Sequence, residues 1–163
     1  MQKITPFLWF DHQAEEAMNF YTSIFKDAKI VHIQRYPDGP LEGPMKGMEG
    51  KVLTGVFELE GQRFMALDGG PVFQPSGAVS FLVECKTQEE IDHYWDKLTD
   101  GGDPAAQQCG WLKDKFGFSW QIVPQMDRWL NATDKERSGR AMQAMMKMKK
   151  IHIQTLQDAY DGK

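Results

Sequence analysis

Cysteine is scarce in this sequence: only Cys85 and Cys109 are present among 163 residues. They form no Cys-x-x-Cys pair and have no spacing typical of a zinc site. This excludes a scaffold held together by several disulfides. Two reduced thiols in a cytoplasmic protein are the favoured interpretation, because disulfides are rare in that compartment, although a single disulfide remains open.

The sequence also has no strong excess of charge and no long apolar run. The formal net charge is -4, which gives no electrostatic attraction to nucleic acid or to an anionic membrane. No run of about 18 apolar residues occurs, so we expect no membrane span. The first residues lack the apolar core of a secretory signal. We therefore expect a cytoplasmic globular protein whose partners include neither nucleic acid nor membrane.

The order of predicted elements occurs twice along the chain. Residues 4–10 resemble a strand, residues 14–25 an amphipathic helix, and residues 29–67 three further strands. A second strand at 78–83 is followed by a helix that opens with the capping box Thr87–Glu90, and then by a hairpin. The pattern predicts an α+β fold of two βαβββ units that form one cupped, mostly antiparallel sheet.

Three parts follow from this plan: a first unit at 1–70, a second unit at 71–125 and a C-terminal helical arm at 126–163. The arm carries a stripe of methionines, which is typical of core or interface packing. It is expected to pack on its own domain or on a dimer partner. Proline and glycine concentrate in the segment 37–50, which indicates a long loop able to act as a lid.

The hairpin at 108–124 is the most informative segment of the sequence. Asp114 to Gly117 forms the turn, since glycine suits the left-handed position of a type I turn with a bulge. That turn places Trp111 opposite Gln121. Alternation along the strands then puts a thiol, an indole, a hydroxyl and an amide on one face, as in a pocket wall. The residues on that face are Cys109, Trp111, Ser119 and Gln121, and those on the other are Leu112, Phe118, Trp120 and Ile122.

Three segments make the chain resemble the PhnB-like branch of the glyoxalase/bleomycin resistance/dioxygenase (vicinal oxygen chelate) superfamily. They are residues 4–11 leading to Phe20-Tyr21, residues 64–71, and the hairpin at 109–124. The similarity is expected to extend over the whole chain, arm included. The resemblance implies a homodimer. It also carries the name 3-demethylubiquinone-9 3-methyltransferase, which many proteins of this branch bear.

In the metal-dependent members of this superfamily, His, Gln or Glu from the first and last strands of each unit hold the ion. The matching positions here are Thr5, Pro6, Met65, Ala66, Leu67, Ala78, Ser80 and Gln121. Gln121 falls where the metal-binding members usually have Glu. A neutral amide without a neighbouring histidine or carboxylate is a poor site for a divalent ion. We expect no metal and no cofactor, although the sequence leaves open whether distant histidines meet.

The expected function is metal-free binding of a small aromatic or amphipathic molecule in the cleft of the sheet. The candidate site residues are Cys109, Trp111, Ser119, Gln121, Ser80 and Asp68. One alternative is an enzyme, either a metal-dependent lyase, isomerase or dioxygenase, or the methyltransferase of the family name. Methyl transfer lacks the usual nucleotide-binding device, since no Gly-x-Gly turn follows a strand. The other alternative is a structural or interaction homodimer.

Overall fold

The computed structural model describes residues 2–130 and 133–163. The chain divides into two compact units, Met1–Pro75 and Ser76–Lys163. Each unit is built around its own sheet, with helices packed against it. The α+β class predicted from the sequence is therefore confirmed.

The first unit has the predicted order of strand, helix and three strands. Its sheet has the order β1-β4-β3-β2, in which β1 runs parallel to β4 and the other pairs are antiparallel. The elements are β1 (Phe7–Phe10), α1 (Ala14–Ile24), β2 (Ala28–Arg35), β3 (Val52–Leu59) and β4 (Gln62–Asp68).

Helix α1 packs its apolar stripe on this sheet. Met18 and Tyr21 are fully buried. Gly55 of β3 lies directly beneath Met18, so that a Cβ there would overlap the methionine sulfur. Phe57 stacks on Tyr21 with ring centroids 6.1 Å apart and on Phe64 at 5.3 Å. Close packing of these rings forms the core of the first unit.

Among the described residues, the second unit contains three sheet strands where the first contains four. Its order is β5-β7-β6, with β5 parallel and β6 antiparallel to the central strand β7. The hydroxyl of Thr87 accepts a hydrogen bond from the Glu90 N–H at 3.3 Å, which confirms the predicted cap. The elements are β5 (Ser80–Cys85), α2 (Gln88–Thr99), β6 (Trp111–Lys113) and β7 (Ser119–Pro124).

The β6–β7 hairpin has the register that the turn predicts. Trp111 pairs with Gln121. Gly117 has φ +91° and donates its N–H to the Asp114 carbonyl at 3.0 Å. The side chain of Asp114 is 2% exposed and accepts hydrogen bonds from the N–H groups of Phe116 and Phe118 at 2.9 and 3.0 Å and from the Trp120 indole at 2.8 Å. This carboxylate holds the turn to the buried face of the strand.

The prediction that Cys109 lies on the strand is wrong. Gln108 and Trp111 exchange backbone hydrogen bonds of 3.0 and 2.8 Å around Cys109 and Gly110, which have φ of +51° and +83°. Two successive positive φ values are those of a type I′ turn. Gly110 favours this turn, because a Cβ there would lie 2.9 Å from the Ile122 carbonyl oxygen. The strand therefore begins at Trp111, and the alternation of faces does not reach back to Cys109.

The C-terminal arm packs on its own unit, which is the first of the two alternatives above. Its helices are α3 (Asp127–Leu130), α4 (Lys135–Met145) and α5 (Ile153–Asp161). The N–H groups of Cys109 and Gly110 donate to the carbonyls of Met148 and Lys149, both at 2.8 Å. The arm has a small core of its own: Trp129, Ala141, Met148, Ile151 and Leu156.

Within the described residues, no helix is long and apolar enough to cross a membrane.

Replacing Asp114 with alanine should lower the free energy of unfolding by about 2–4 kcal/mol, since the buried Trp120 indole and two part-buried backbone N–H groups lose their acceptor. Urea denaturation followed by tryptophan fluorescence measures this loss. The exposed Asp27→Ala serves as the control and should change stability by less than about 0.5 kcal/mol. Equal stability of the two variants would show that the Asp114 carboxylate does not hold the hairpin.

Candidate functional site

One face of the second sheet carries polar and aromatic side chains instead of a core, and we call it the open face. Cross-strand pairs on the same face define it in two rows. Register places Lys113, Ser119 and Ser80 in one row and Trp111, Gln121 and Leu82 in the next. The opposite face, with Leu112, Trp120 and Ile122, is buried.

The open face combines accessible apolar surface with a polar pair. Trp111 is 38% exposed and Leu82 58% exposed, on either side of Gln121. The Gln121 amide donates a hydrogen bond of 2.9 Å to the hydroxyl of Ser80. Ser119 sits beside Ser80 and is buried. An indole next to an oriented amide and hydroxyl is an arrangement that can bind a planar molecule with polar substituents.

Four of the six candidate residues therefore share this face: Ser80, Trp111, Ser119 and Gln121. Leu82 and Lys113 belong to it as well, although neither is among the six candidates. The position of Leu82 follows from the parallel pairing of β5 with β7, which joins residues about forty positions apart. The position of Lys113, two residues from Trp111 along the hairpin, follows from alternation alone.

Asp68 lies in the first unit and has a structural role there. Its side chain is 2% exposed. One oxygen accepts the Ala14 N–H at 2.8 Å, at the start of α1, and the other accepts the Val52 N–H at 3.2 Å, at the start of β3. The carboxylate therefore ties a helix start and a strand start to the end of β4.

Cys109 faces the helical arm and not the other candidates. Its sulfur lies 3.5 Å from the Met145 carbonyl oxygen and 3.7 Å from the Met146 sulfur. Because the backbone of Cys109 is left-handed, its side chain does not continue the alternation of side chains along β6. The thiol and the indole of Trp111 thus belong to different environments.

The positions that hold metal in the metal-dependent members carry poor ligands. Met65, Ala66 and Leu67 lie in β4 opposite Phe7, Leu8 and Trp9. Over residues 2–130 and 133–163, no group of three or more His, Cys, Asp or Glu side chains is placed to hold a metal ion. His12 is 3.5 Å from Asp11 at an exposed turn.

Comparison with solved structures shows the class of fold. The fosfomycin resistance protein FosX from Listeria monocytogenes, solved as a point mutant with Mn(II) and 1S,2S-dihydroxypropylphosphonic acid, is 15% identical with a TM-score of 0.51, covering 78% of this chain and 98% of that chain. Protein PA1353 from Pseudomonas aeruginosa is 19% identical with a TM-score of 0.59, and the match covers 76% of this chain and 96% of that chain. The fold is that of the glyoxalase/vicinal oxygen chelate superfamily.

Two closer similarities show the family to which the chain belongs. The sequence model of the 3-demethylubiquinone-9 3-methyltransferase family matches residues 2–123. The PhnB protein from Bacillus cereus, to which the same methyltransferase activity is provisionally ascribed, is 44% identical with a TM-score of 0.65, covering 76% of this chain and 99% of that chain. The chain belongs to this PhnB-like family. No curated protein matches it.

The expectation that the similarity includes the arm is wrong for this family model. The match ends at residue 123, within β7, before the first helix of the arm. The Bacillus cereus protein is covered over 99% of its length by only 76% of this chain. The arm is therefore an addition to the part of the sequence that defines the family.

Cys85 should be unreactive in the folded protein. Burial, with smaller contributions from Glu90 and Glu84, raises the pKa of the Cys85 thiol to about 12. At pH 8 iodoacetamide should therefore leave Cys85 unmodified in the folded protein, because the thiolate is the reactive form. Mass spectrometry of labelled peptides measures this, with labelling in guanidinium chloride as the control. Modification of Cys85 in the folded state at the rate seen in denaturant would contradict its burial.

Proposed function

We propose that this protein binds a small aromatic or amphipathic molecule on the open face of the second sheet, without the help of a metal ion. The observation that carries the proposal is the exposed row in which Gln121 lies between Trp111 and Leu82. Two exposed apolar side chains bracketing an oriented amide favour a ligand with an apolar body and a polar group.

The polar pair retains hydrogen-bonding capacity for such a ligand. The bond between Gln121 and Ser80 uses one amide hydrogen and one lone pair of the hydroxyl. The amide oxygen of Gln121 and the hydroxyl hydrogen of Ser80 are not consumed by it. A ligand carbonyl and a ligand hydroxyl or amine can both be accommodated, while the indole supplies a flat apolar surface.

The chemistry of the row argues for binding without a metal. The neighbours of Gln121 in register are an indole and an aliphatic side chain, and neither is a metal ligand. A single neutral amide does not hold a divalent ion that prefers several hard oxygen or nitrogen donors. The methyltransferase name is not our proposal, since the turns between β1 and α1 and between β5 and α2 contain no glycine.

We also propose that the protein acts as a homodimer. Several large apolar side chains of the first unit are exposed, among them Ile4 at 87%, Val72 at 69% and Phe73 at 61%. Burying such side chains against a second copy stabilises a dimer. Light scattering coupled to size exclusion should give twice the chain mass of 18.7 kDa. A mass of one chain at micromolar concentration would contradict the dimer.

Binding can be tested with the aromatic amphiphile 8-anilinonaphthalene-1-sulfonate. The folded protein should bind it saturably, and Trp111→Ala should weaken binding about tenfold, as expected for the loss of one aromatic contact of about 1.4 kcal/mol. Met45→Ala, which removes a side chain of similar exposure in the first unit, is the matched control and should bind like the wild type. Equal affinity of all three proteins would contradict the proposed site.

The same measurements separate binding from the enzymatic alternatives. Mn(II) and S-adenosylmethionine, each added in large excess, should leave the thermal midpoint unchanged, because a ligand that binds the native state raises it. A midpoint raised by Mn(II) in the wild type and not in Gln121→Leu would instead support a metal-dependent enzyme. A midpoint raised by S-adenosylmethionine would support methyl transfer.

A further inference from the structure

Sulfur atoms gather where the helical arm meets the turn Gln108–Trp111. The Cys109 sulfur lies 3.7 Å from the sulfur of Met146. Met146 follows the last residue of α4 and is 59% exposed, while Cys109 is half-buried. An exposed thioether beside a thiol is accessible from solvent.

A third sulfur-containing side chain, that of Met142, lies one helical turn before Met146. Met142 is 49% exposed and stands four residues before Met146, whose N–H donates to the Met142 carbonyl at 3.0 Å. Residues four apart in a helical turn lie on the same face, one above the other. The two methionine side chains therefore project from the same face of the helix end, and we call Cys109, Met142 and Met146 the sulfur cluster.

This spacing matches the coordination chemistry of a soft cation. Thiolate and thioether ligands select Cu(I) over harder ions. Two metal–sulfur bonds of about 2.3 Å, the length known for zinc–thiolate sites, at a tetrahedral angle of about 110° separate their sulfurs by about 3.8 Å. We propose that the sulfur cluster is a binding site for one Cu(I) ion, with the Cys109 thiolate and the Met146 thioether as its principal ligands and the Met142 thioether as the third.

The backbone around Cys109 is preorganised for this role. Its N–H and that of Gly110 are bonded to arm carbonyls at 2.8 Å. The Gln108 side-chain amide donates to the Met146 carbonyl at 2.7 Å and lies 3.4 Å from the Cys109 sulfur. These contacts fix the thiol relative to the end of α4. Ligands held in place by their surroundings bind a metal at lower entropic cost.

Binding involves proton release and no electron transfer. The Cys109 thiol is directed at the Met145 carbonyl oxygen, 3.5 Å away. When Cu(I) binds, the S–H bond breaks, the proton passes to solvent and the sulfur electron pair forms the copper–sulfur bond. The copper remains Cu(I) throughout. The site is separate from the open face, so it does not depend on the proposed small-molecule binding.

The test is an anaerobic competition for Cu(I) between the reduced protein and the chelator bathocuproine disulfonate. The wild type should take up one Cu(I) per chain, and Cys109→Ser should abolish this uptake. Met146→Leu, a conservative change at an exposed position, should weaken it at least tenfold. Met45→Leu is the matched control, because Met45 is 48% exposed but lies in the first unit, and it should retain wild-type affinity.

X-ray absorption of the copper-loaded wild type should show sulfur as the main scatterer in the first shell. Circular dichroism establishes that each variant is folded, and Met146→Leu keeps the test decisive if Cys109→Ser does not fold. Failure of the wild type to compete for Cu(I), or unchanged affinity in Met146→Leu, would overturn the proposal. A first shell made mainly of nitrogen or oxygen would overturn it as well.

Discussion

The buried carboxylate of Asp114 is the interaction on which the second unit depends. It accepts two backbone N–H groups of the turn and the indole N–H of Trp120. Because the side-chain period of a strand is two residues, a shift of one residue in β6–β7 would exchange the faces of both strands. The core on α2 and the open face would then change places. By fixing that register, Asp114 decides that Trp111 and Gln121 face outward.

The first unit uses a buried carboxylate in a related way. Asp68 accepts the N–H groups that begin α1 and β3. A buried charge is costly unless it is hydrogen-bonded, and in both cases backbone or indole donors supply the compensation. Each unit thus relies on one acid at a strand end to join elements that are distant in sequence or to fix a turn. Asp68 is a candidate for ligand binding on sequence alone, although its partners in the structure are groups of the protein itself.

Local features could be predicted from the sequence, and features that depend on distant pairing could not. The turn at Asp114–Gly117, the register that follows from it and the cap at Thr87 each involve a few consecutive residues. The bond between Gln121 and Ser80 requires the parallel pairing of β5 with β7, which no short segment encodes. Cys109 is an intermediate case. The Cys109-Gly110 pair permits a type I′ turn, yet the preceding Gln108 and following Trp111 fit an extended strand equally well, and the contact with the arm decides between them.

The contact between the arm and the turn at Cys109–Gly110 also explains how the arm, which is an addition to the family, can affect the part of the chain that the family shares. In this chain the N–H groups of Cys109 and Gly110 are satisfied by carbonyls at the end of the arm's methionine stripe. Buried backbone donors without partners are destabilising, so a relative without this arm must satisfy them differently or adopt another conformation there. The turn leads directly into Trp111, whose own N–H bonds to Gln108. The arm therefore supports the position of the indole on the open face. Relatives with the same hairpin sequence but a different C-terminal segment need not present that side chain in the same way.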